Sequence, residues 1–368
     1  MCWWESPLPR WSDATVTSLA PARNLVFTFY PPVEIVVMQE QTELLSPPFD
    51  SISSIRFSPF NSTHLLASSW DATVRFYDVN ANEQKAKFDQ RAAVLSCCFQ
   101  DASHAFSGGL DTYIRGLELE TEQTFHLGNH DDSISSIHYA TEINSLVSGS
   151  WDRTLKFWDP KSKSSQATSS HTLPERIYHM DLVGHTLVVA MASRLFQIWD
   201  VRNMQSPVSQ RESSLKYMTR AVACMSDQKG YATASVEGRI AVEYVDPSPE
   251  IQDKKYAFKC HRQSIDDVDH VWAVNALAFH PLYNTFASAG SDGMVSIWDH
   301  ESKKRLRQFP KYHSPVSSIS FSHDGTKLAA AICDVWDEGD EASKQAKRPS
   351  IFIRALGDEV KPKSMTGK

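Results

Sequence analysis

The chain has 368 residues, 41% hydrophobic, 22% charged and 11% aromatic, a globular composition with enough apolar residues for a large core. Its net charge of −7 and pI near 6.1 exclude a global positive field that would hold nucleic acid by counterion release, leaving room only for a local basic patch. Length alone suggests more than one domain, unless a repeat absorbs it in one closed unit.

In chain order, residues 1–38 come first. They carry Pro-Pro and tryptophans without a period and read as an N-terminal extension outside the repeated part of the chain, disordered or artefactual, with Met38 the expected natural initiator. The run LVFTFYPPVEIVVM is broken by Pro31, Pro32 and Glu34 and is too short on either side to span a bilayer. A basic leader region and a small-residue cleavage site are both missing.

From QTELL onward the chain consists of short β-rich runs separated by turn residues. First strands of a recurring unit read SISSIRF, AVLSCCF, ISSIHYA, RIYHMDL, RAVACMS, VNALAFH and VSSISFS, which makes seven. Their turn positions, Asp71, Asp111, Asp152, Ser193, Glu237 and Asp292, are spaced by 40, 41, 41, 44 and 55 residues, the period of four-stranded propeller blades. The last unit has VSSISFS and KLAAAIC, then the insertion DVWDEGDEASKQAKRPS, then IFIRAL, but no good fourth strand. QTELL is the natural segment to complete it, because a ring must close or leave edges exposed. The expectation is all-β: a single seven-bladed propeller over 39–358, closed by an N-terminal strand and followed by a flexible tail at 359–368. The charged stretch DEGDEASKQAKR is expected to be a solvated excursion.

The stretches SWDATVRFYD, GSWDRTLKFWD and GSDGMVSIWD resemble the WD-repeat family. Turn acids distributed around a ring cannot all be one active site, so Asp71, Asp111, Asp152 and Asp292 read as scaffolding. The resemblance implies that the acid bonds a His before the first strand and a Trp on the third, as His130, Asp152 and Trp158 are placed to do. Such donors satisfy a buried carboxylate.

Function on a propeller is sought where a blade departs from its siblings. The loops that open on one face bring Trp70, Trp151, Arg220, Arg239, Lys259 and Trp272 to that face. Most of the positive charge comes from RESSLKYMTR, EGRIAVEY and KKYAFKCHR. Arg220 and Arg239 start the first and third strands of one blade, where their guanidiniums, with Lys216 and Lys259 nearby, suit an acidic or phosphorylated peptide. Trp70 suits an apolar anchor at the centre of an interface. The alternative is a set of solvated loop cations.

An enzyme finds little support, since GxSxG, HExxH and Walker loops are absent. The sets His171, His179 and His185, or Cys260, His261 and His270, lack a paired metal motif, and no metal or cofactor is expected. Six cysteines are scattered without CxxC spacing, which suits buried free thiols in nucleus or cytosol. Cys97 and Cys98, adjacent on a strand, face opposite sides of it and are read as packing.

The segments ESSLKY, EGRIAVEYVDPSPE, KKYAFKCHR, VNALAFH and GSDGMVSIWD are more specific than any WD repeat. From about Thr42 to the KPKS tail the chain resembles the spindle-checkpoint WD-repeat proteins of the budding-uninhibited-by-benzimidazole group. The resemblance implies a non-enzymatic adaptor that binds an acidic peptide motif of checkpoint kinases and pseudokinases. It docks them on phosphorylated Met-Glu-Leu-Thr repeats of a kinetochore scaffold, as a monomer within a hetero-complex, in the nucleus and at kinetochores, without direct contact to nucleic acid or membrane. Carried over by motif, Arg220 and Arg239 meet partner glutamates or the phosphothreonine, Lys216 and Lys259 supplement the charge, and Trp70 packs on the peptide. Ser193 and Glu237 depart from the turn Asp, and the KSKSSQATSSH loop lies outside the resemblance. A second reading is the related messenger-RNA export WD-repeat factor, which grips an acidic segment of a nucleoporin. A third is a cullin-ligase substrate receptor, suggested by WDVR with Arg202, where the alternative is an ordinary third-strand ending.

Overall fold

The computed structural model describes residues 41–365 apart from 163, 338, 340–343 and 345–346; the extension read at 1–38, and Cys2 with it, lies outside them. The described strands form seven four-stranded antiparallel sheets and one two-stranded hairpin. The sheets are successive blades over 52–89, 94–129, 134–172, 177–212, 219–259, 274–308 and 316–355. The seventh recruits Thr42–Glu43 as its outer strand, with Thr42 opposite Ile353 and Glu43 opposite Phe352, and Leu44 N–H bonds the Ile351 carbonyl at 2.8 Å. The propeller is therefore closed by QTELL. The hairpin, Arg262–Ile265 with Val268–Val271, stands between blades five and six.

Alternating apolar residues on each strand face the two neighbouring blades, so the core is a set of interblade seams. Cys97 belongs to the seam between blades one and two, with Phe76 and Phe88. Cys98 belongs to that between two and three, with Phe106 and Trp158. The vicinal thiols thus pack into different layers, and burial pushes Cys97 up to about 11.

Innermost strands border the central cavity and leave an edge that a sheet would normally pair. Polar side chains of the preceding blade fill this need. Ile55 and Phe57 donate to Ser318 Oγ and Ser320 Oγ at 3.1 and 3.0 Å, and Ile137 to Ser96 Oγ at 3.1 Å. In blade five, Cys224 N–H donates to Asp181 Oδ2 at 2.7 Å and Val222 N–H to His179 Nδ1 at 3.4 Å. His179, a member of one histidine set weighed for metal, is thereby an edge acceptor.

The turns repeat one geometry, in which the residue after the turn position is left-handed: Ala72, Thr112, Arg153, Arg194, Gly238 and Gly293 have φ of 61, 70, 66, 62, 62 and 75°. This conformation costs a non-glycine residue about 1–2 kcal/mol, and in blade three hydrogen bonds to the turn carboxylate hold it. Asp152 accepts from Thr154 N at 2.7 Å and Thr154 Oγ1 at 2.6 Å, and from His130 Nδ1 at 2.9 Å. His130 Nε2 then meets Ser148 Oγ at 2.7 Å, and Trp158 Nε1 donates to that same oxygen at 2.7 Å. The expected direct bond from Trp158 to the acid is corrected here: a serine on the second strand links the two, because the indole lies a full strand away from the turn. Proton order is fixed by the chain Trp158 to Ser148 to His130 to Asp152.

Blade six repeats the relay with Trp298, Ser288, His261 and Asp292, at 2.8, 2.9 and 2.8 Å. His261 is therefore a structural histidine. Blades one and two use arginine instead, with Arg75 on Asp71 at 3.2 Å and Arg115 on Asp111 at 2.6 Å, four residues after the acid. Burial works against charge on Asp152, but His130 and Thr154 outweigh it and hold the carboxyl low. Burial also pushes His130 below its ordinary value, so the pair is a carboxylate with a neutral imidazole.

Of the expected tail, the first part docks. Val360 is buried, and its carbonyl accepts from Thr285 Oγ1 at 2.7 Å. An apolar residue within a polar run supplied the anchor.

Candidate partner-binding face

A central cavity of about 980 Å3 follows the innermost strands, with Trp70, Trp151, Tyr178 and Trp336 among its lining residues. Each innermost strand carries a register shift after its first residue, at Ile52/Ser54, Val94/Ser96, Ile134/Ser136, Ile177/His179, Thr219/Ala221, Val274/Ala276 and Val316/Ser318. The extra residues are Ser53, Leu95, Ser135, Tyr178, Arg220, Asn275 and Ser317, and all of them line the cavity. A β-bulge re-aims a side chain, and here it does so once per blade.

Three of these residues tie their blade to the next. Ser53 Oγ donates to the Val94 carbonyl at 2.5 Å, Ser135 Oγ to Ile177 at 2.7 Å, and Asn275 Nδ2 to Val316 at 3.0 Å. Blade five differs from all six siblings in another respect. Its bulge residue, Arg220, is the one charged member of the ring and donates to Asp337 Oδ1 at 2.9 Å. A long cation stands at a cavity mouth flanked by the exposed aromatics Trp70 and Trp336.

From Thr219, next to Arg220, a row of paired residues runs outward through Ser235, Arg239 and Lys259. Adjacent strands lie about 4.8 Å apart, so Arg220 and Arg239 leave the backbone on the order of 10 Å from each other. Arg239 Nε lies 3.7 Å from Glu237 Oε1, and its side chain is 37% exposed, while Lys259 is exposed. Lys216 is exposed in the turn before blade five, beside exposed Tyr217 and Met218.

The expected residues thus fall into two groups. Arg220, Trp70 and Trp151 border the cavity; Trp70 is 48% exposed, with Asp71 next to it held below the usual carboxylate range, where burial is outweighed by bonds from Thr73 and Phe49. Arg239 and Lys259 lie further out on blade five, and Trp272, half-buried, stacks on His270 of the hairpin at 6.0 Å. Sequence reasoning missed Trp336, Asp337 and Ser291. Asp337 is the first residue of the stretch expected to be a solvated excursion, and that expectation is corrected at this residue: it makes the Arg220 ion pair and accepts from Ser291 Oγ. The signal was the tryptophan in DVWD, an apolar residue inside a charged run.

Elsewhere, His171 lies against the rings of Phe157 and Trp199 at 6.0 and 5.4 Å, and the His185 N–H meets Gln228. Among the described residues no three His, Cys, Asp or Glu side chains gather as a metal site would require. Arg202 folds back on Asp200 through Nε and Nη2, at 2.9 and 2.6 Å.

The WD domain, G-beta repeat family matches residues 40–78, 121–159, 254–299 and 303–337. The chain is 48% identical over 325 residues to the mitotic checkpoint protein BUB3.1 of Arabidopsis thaliana, covering 87% of this chain and 94% of the relative. It is 35% identical to the Poly(A)+ RNA export protein of Schizosaccharomyces pombe, covering 90% and 95%. Among solved structures, that of U3-55K superposes with a TM-score of 0.72 at 15% identity over 86% of this chain and 98% of that one, a likeness of fold alone. By its similarity to checkpoint proteins along most of their length, with this propeller and these repeats, the chain belongs to the BUB3 family of mitotic checkpoint WD-repeat proteins.

Proposed function

We propose that the chain is a non-enzymatic adaptor of the spindle-assembly checkpoint. It holds an acidic peptide motif of checkpoint kinases or pseudokinases and docks them on phosphorylated Met-Glu-Leu-Thr repeats of a kinetochore scaffold, working from the nucleus and cytoplasm. The observation that carries this reading is the charge of blade five's bulge residue. A cavity-facing arginine stands where three sibling blades hold a short seam donor, and a second arginine with a lysine continues the row outward. Guanidiniums on the order of 10 Å apart at the backbone suit two anionic groups on one extended peptide. Phosphorylation adds about −1.5 to −2 charge, which gives the site its switch. Trp70 supplies the apolar anchor beside it.

Isothermal titration tests the reading. The full chain, wild type and Arg239→Ala, is titrated with a Met-Glu-Leu-Thr peptide, phosphorylated or not, with and without an acidic kinase segment. Binding is expected to need the phosphate, to strengthen with the kinase segment and to disappear in Arg239→Ala. Kinase-segment binding without phosphopeptide binding favours the export-type reading, in which one acidic segment is the whole ligand. Silence in all arms rejects the site.

A further inference from the structure

The segment 334–337 leaves blade seven, crosses blade six and ends on blade five. Its start is tied to blade one, where Ser51 Oγ donates to the Asp334 carbonyl at 2.8 Å. Its end is the Asp337 carboxylate, which accepts from Arg220 Nη1 at 2.9 Å through one oxygen and from Ser291 Oγ through the other. Ser291 is itself bonded by Asn275 Nδ2 at 3.1 Å, so the carboxylate rests on donors of two blades. Between the two ends, Trp336 is 59% exposed and has φ of 61°, a conformation that a bulky residue holds only when its surroundings impose it.

We propose that this strap is an internal competitor: Asp337 occupies the anion position on Arg220, and an acidic or phosphorylated peptide reaches that arginine only by displacing it. This rests on the adaptor reading above for the identity of the incoming peptide, but not for the occupancy of Arg220. The chemistry matches, because an aspartate carboxylate and a phosphate take the same guanidinium donors. Displacement is easy, since an ion pair with side chains 27% and 29% exposed is a weak restraint in water, and it frees Trp336 from its left-handed backbone. The strap lowers apparent affinity by the fraction of molecules in which it is released.

The test uses the full chain with Asp337→Asn, and Asp266→Asn as a control that removes one negative charge from the hairpin. Phosphorylated Met-Glu-Leu-Thr peptide is titrated into each. Asp337→Asn is expected to bind about two- to fivefold more tightly than wild type, with no gain in Asp266→Asn, and no gain when added to Arg220→Ala. Unchanged or weaker binding in Asp337→Asn overturns the proposal, as does an equal gain in the control. If no variant binds the peptide, the adaptor reading fails, and inorganic phosphate followed through the Arg220 Nε–H resonance decides the strap alone. Tighter phosphate binding in Asp337→Asn then upholds it, and an unchanged titration overturns it.

Discussion

Arg220 stands in blade five where Ser135 stands in blade three. Both are the extra residue of the bulge on an innermost strand, yet Ser135 donates across the seam to the Ile177 carbonyl at 2.7 Å while Arg220 meets Asp337 at 2.9 Å. One position therefore ties two blades together in one case and holds a carboxylate at the cavity mouth in the other. Arg220→Ala is expected to change unfolding free energy by less than about 1 kcal/mol, the range of a partly exposed ion pair, and to remove phosphopeptide binding. Ser135→Ala is expected to cost about 1–3 kcal/mol by leaving a carbonyl without its donor, with binding retained. Urea unfolding alongside titration separates the two, and a large stability loss in Arg220→Ala makes it a structural residue.

The relay of Trp158, Ser148, His130 and Asp152 makes a different prediction. His130 and Ser148 are fully buried, so deleting one member orphans its neighbours. His130→Ala is expected to destabilise the protein by about 2–4 kcal/mol through an unsatisfied carboxylate, hydroxyl and cavity together. Ser148→Ala breaks the link to the indole while leaving the His130 bond to Asp152, and is expected to cost about 1–3 kcal/mol. Because these residues share one network, the double variant is expected to lose less than the sum. Additive losses in chemical denaturation contradict the relay.

Much of the fold was legible because the first strands and turn positions recur at a near-constant spacing, although the turn partners differ between blades. QTELL was readable as the closing strand since the seventh blade visibly lacked a fourth. His261 was not readable as the blade-six relay histidine. The hairpin 262–271 separates it from the strand Val274–Phe279 that it precedes, which hides the spacing seen for His130. Serine 148 was equally hidden, since a small polar residue on a buried strand gives no periodic signal. Of the proposed face, Arg220, Arg239 and Trp70 were singled out from their places at strand starts and ends; Arg220 and Trp70 border the cavity and Arg239 lies further out on blade five. Asp337 was not singled out, because a contact between blades five and seven is 117 positions apart in the chain and charge runs usually solvate.

The cavity wall also sets a response to acid. His138 Nε2–H donates to the Met180 carbonyl at 2.9 Å. Burial first, and then the charge of Arg56, push it down to about 3; the same causes, set against Asp181, bring His179 to about 4. A histidine whose folded value lies below its unfolded value of 6.5 binds its proton mainly when unfolded. Stability is therefore complete above pH 6.5 and declines as pH falls toward 4. For His138 the loss between pH 6.5 and 5 is on the order of 2 kcal/mol, from about 1.4 kcal/mol per pH unit. Denaturation midpoints at pH 7 and 5 check this. His138→Gln is expected to flatten the slope, and an unaltered slope assigns the acid sensitivity elsewhere.

Closure of the ring makes the last prediction. The outer strand of blade seven is only Thr42–Glu43, but Leu44 beside it is 1% exposed and packs in the seam between blades seven and one with Ile52, Tyr77 and Ile353. Tyr77 Oη donates to the Ser46 carbonyl at 2.8 Å, and Arg75 Nη1 to the carbonyls of Ser46 and Pro47 at 2.8 and 2.6 Å. Residues 41–47 thus cover an edge and supply acceptors to the buried Tyr77 hydroxyl and the half-buried Arg75 guanidinium of blade one. A chain beginning at Gln41 keeps all of these contacts and is the reference for the comparison. A chain beginning at Pro48 loses them, exposing the strand Ser350–Ala355 as an edge ready to pair with another molecule. Removal of Leu44 alone costs about 2–5 kcal/mol on the scale of a buried leucine, and the longer truncation is expected to exceed this and to self-associate. Light scattering with thermal melts distinguishes the cases: if the chain from Pro48 stays monomeric with an unchanged melting temperature, the velcro role of 41–47 is wrong and the ring is held by the interblade seams alone.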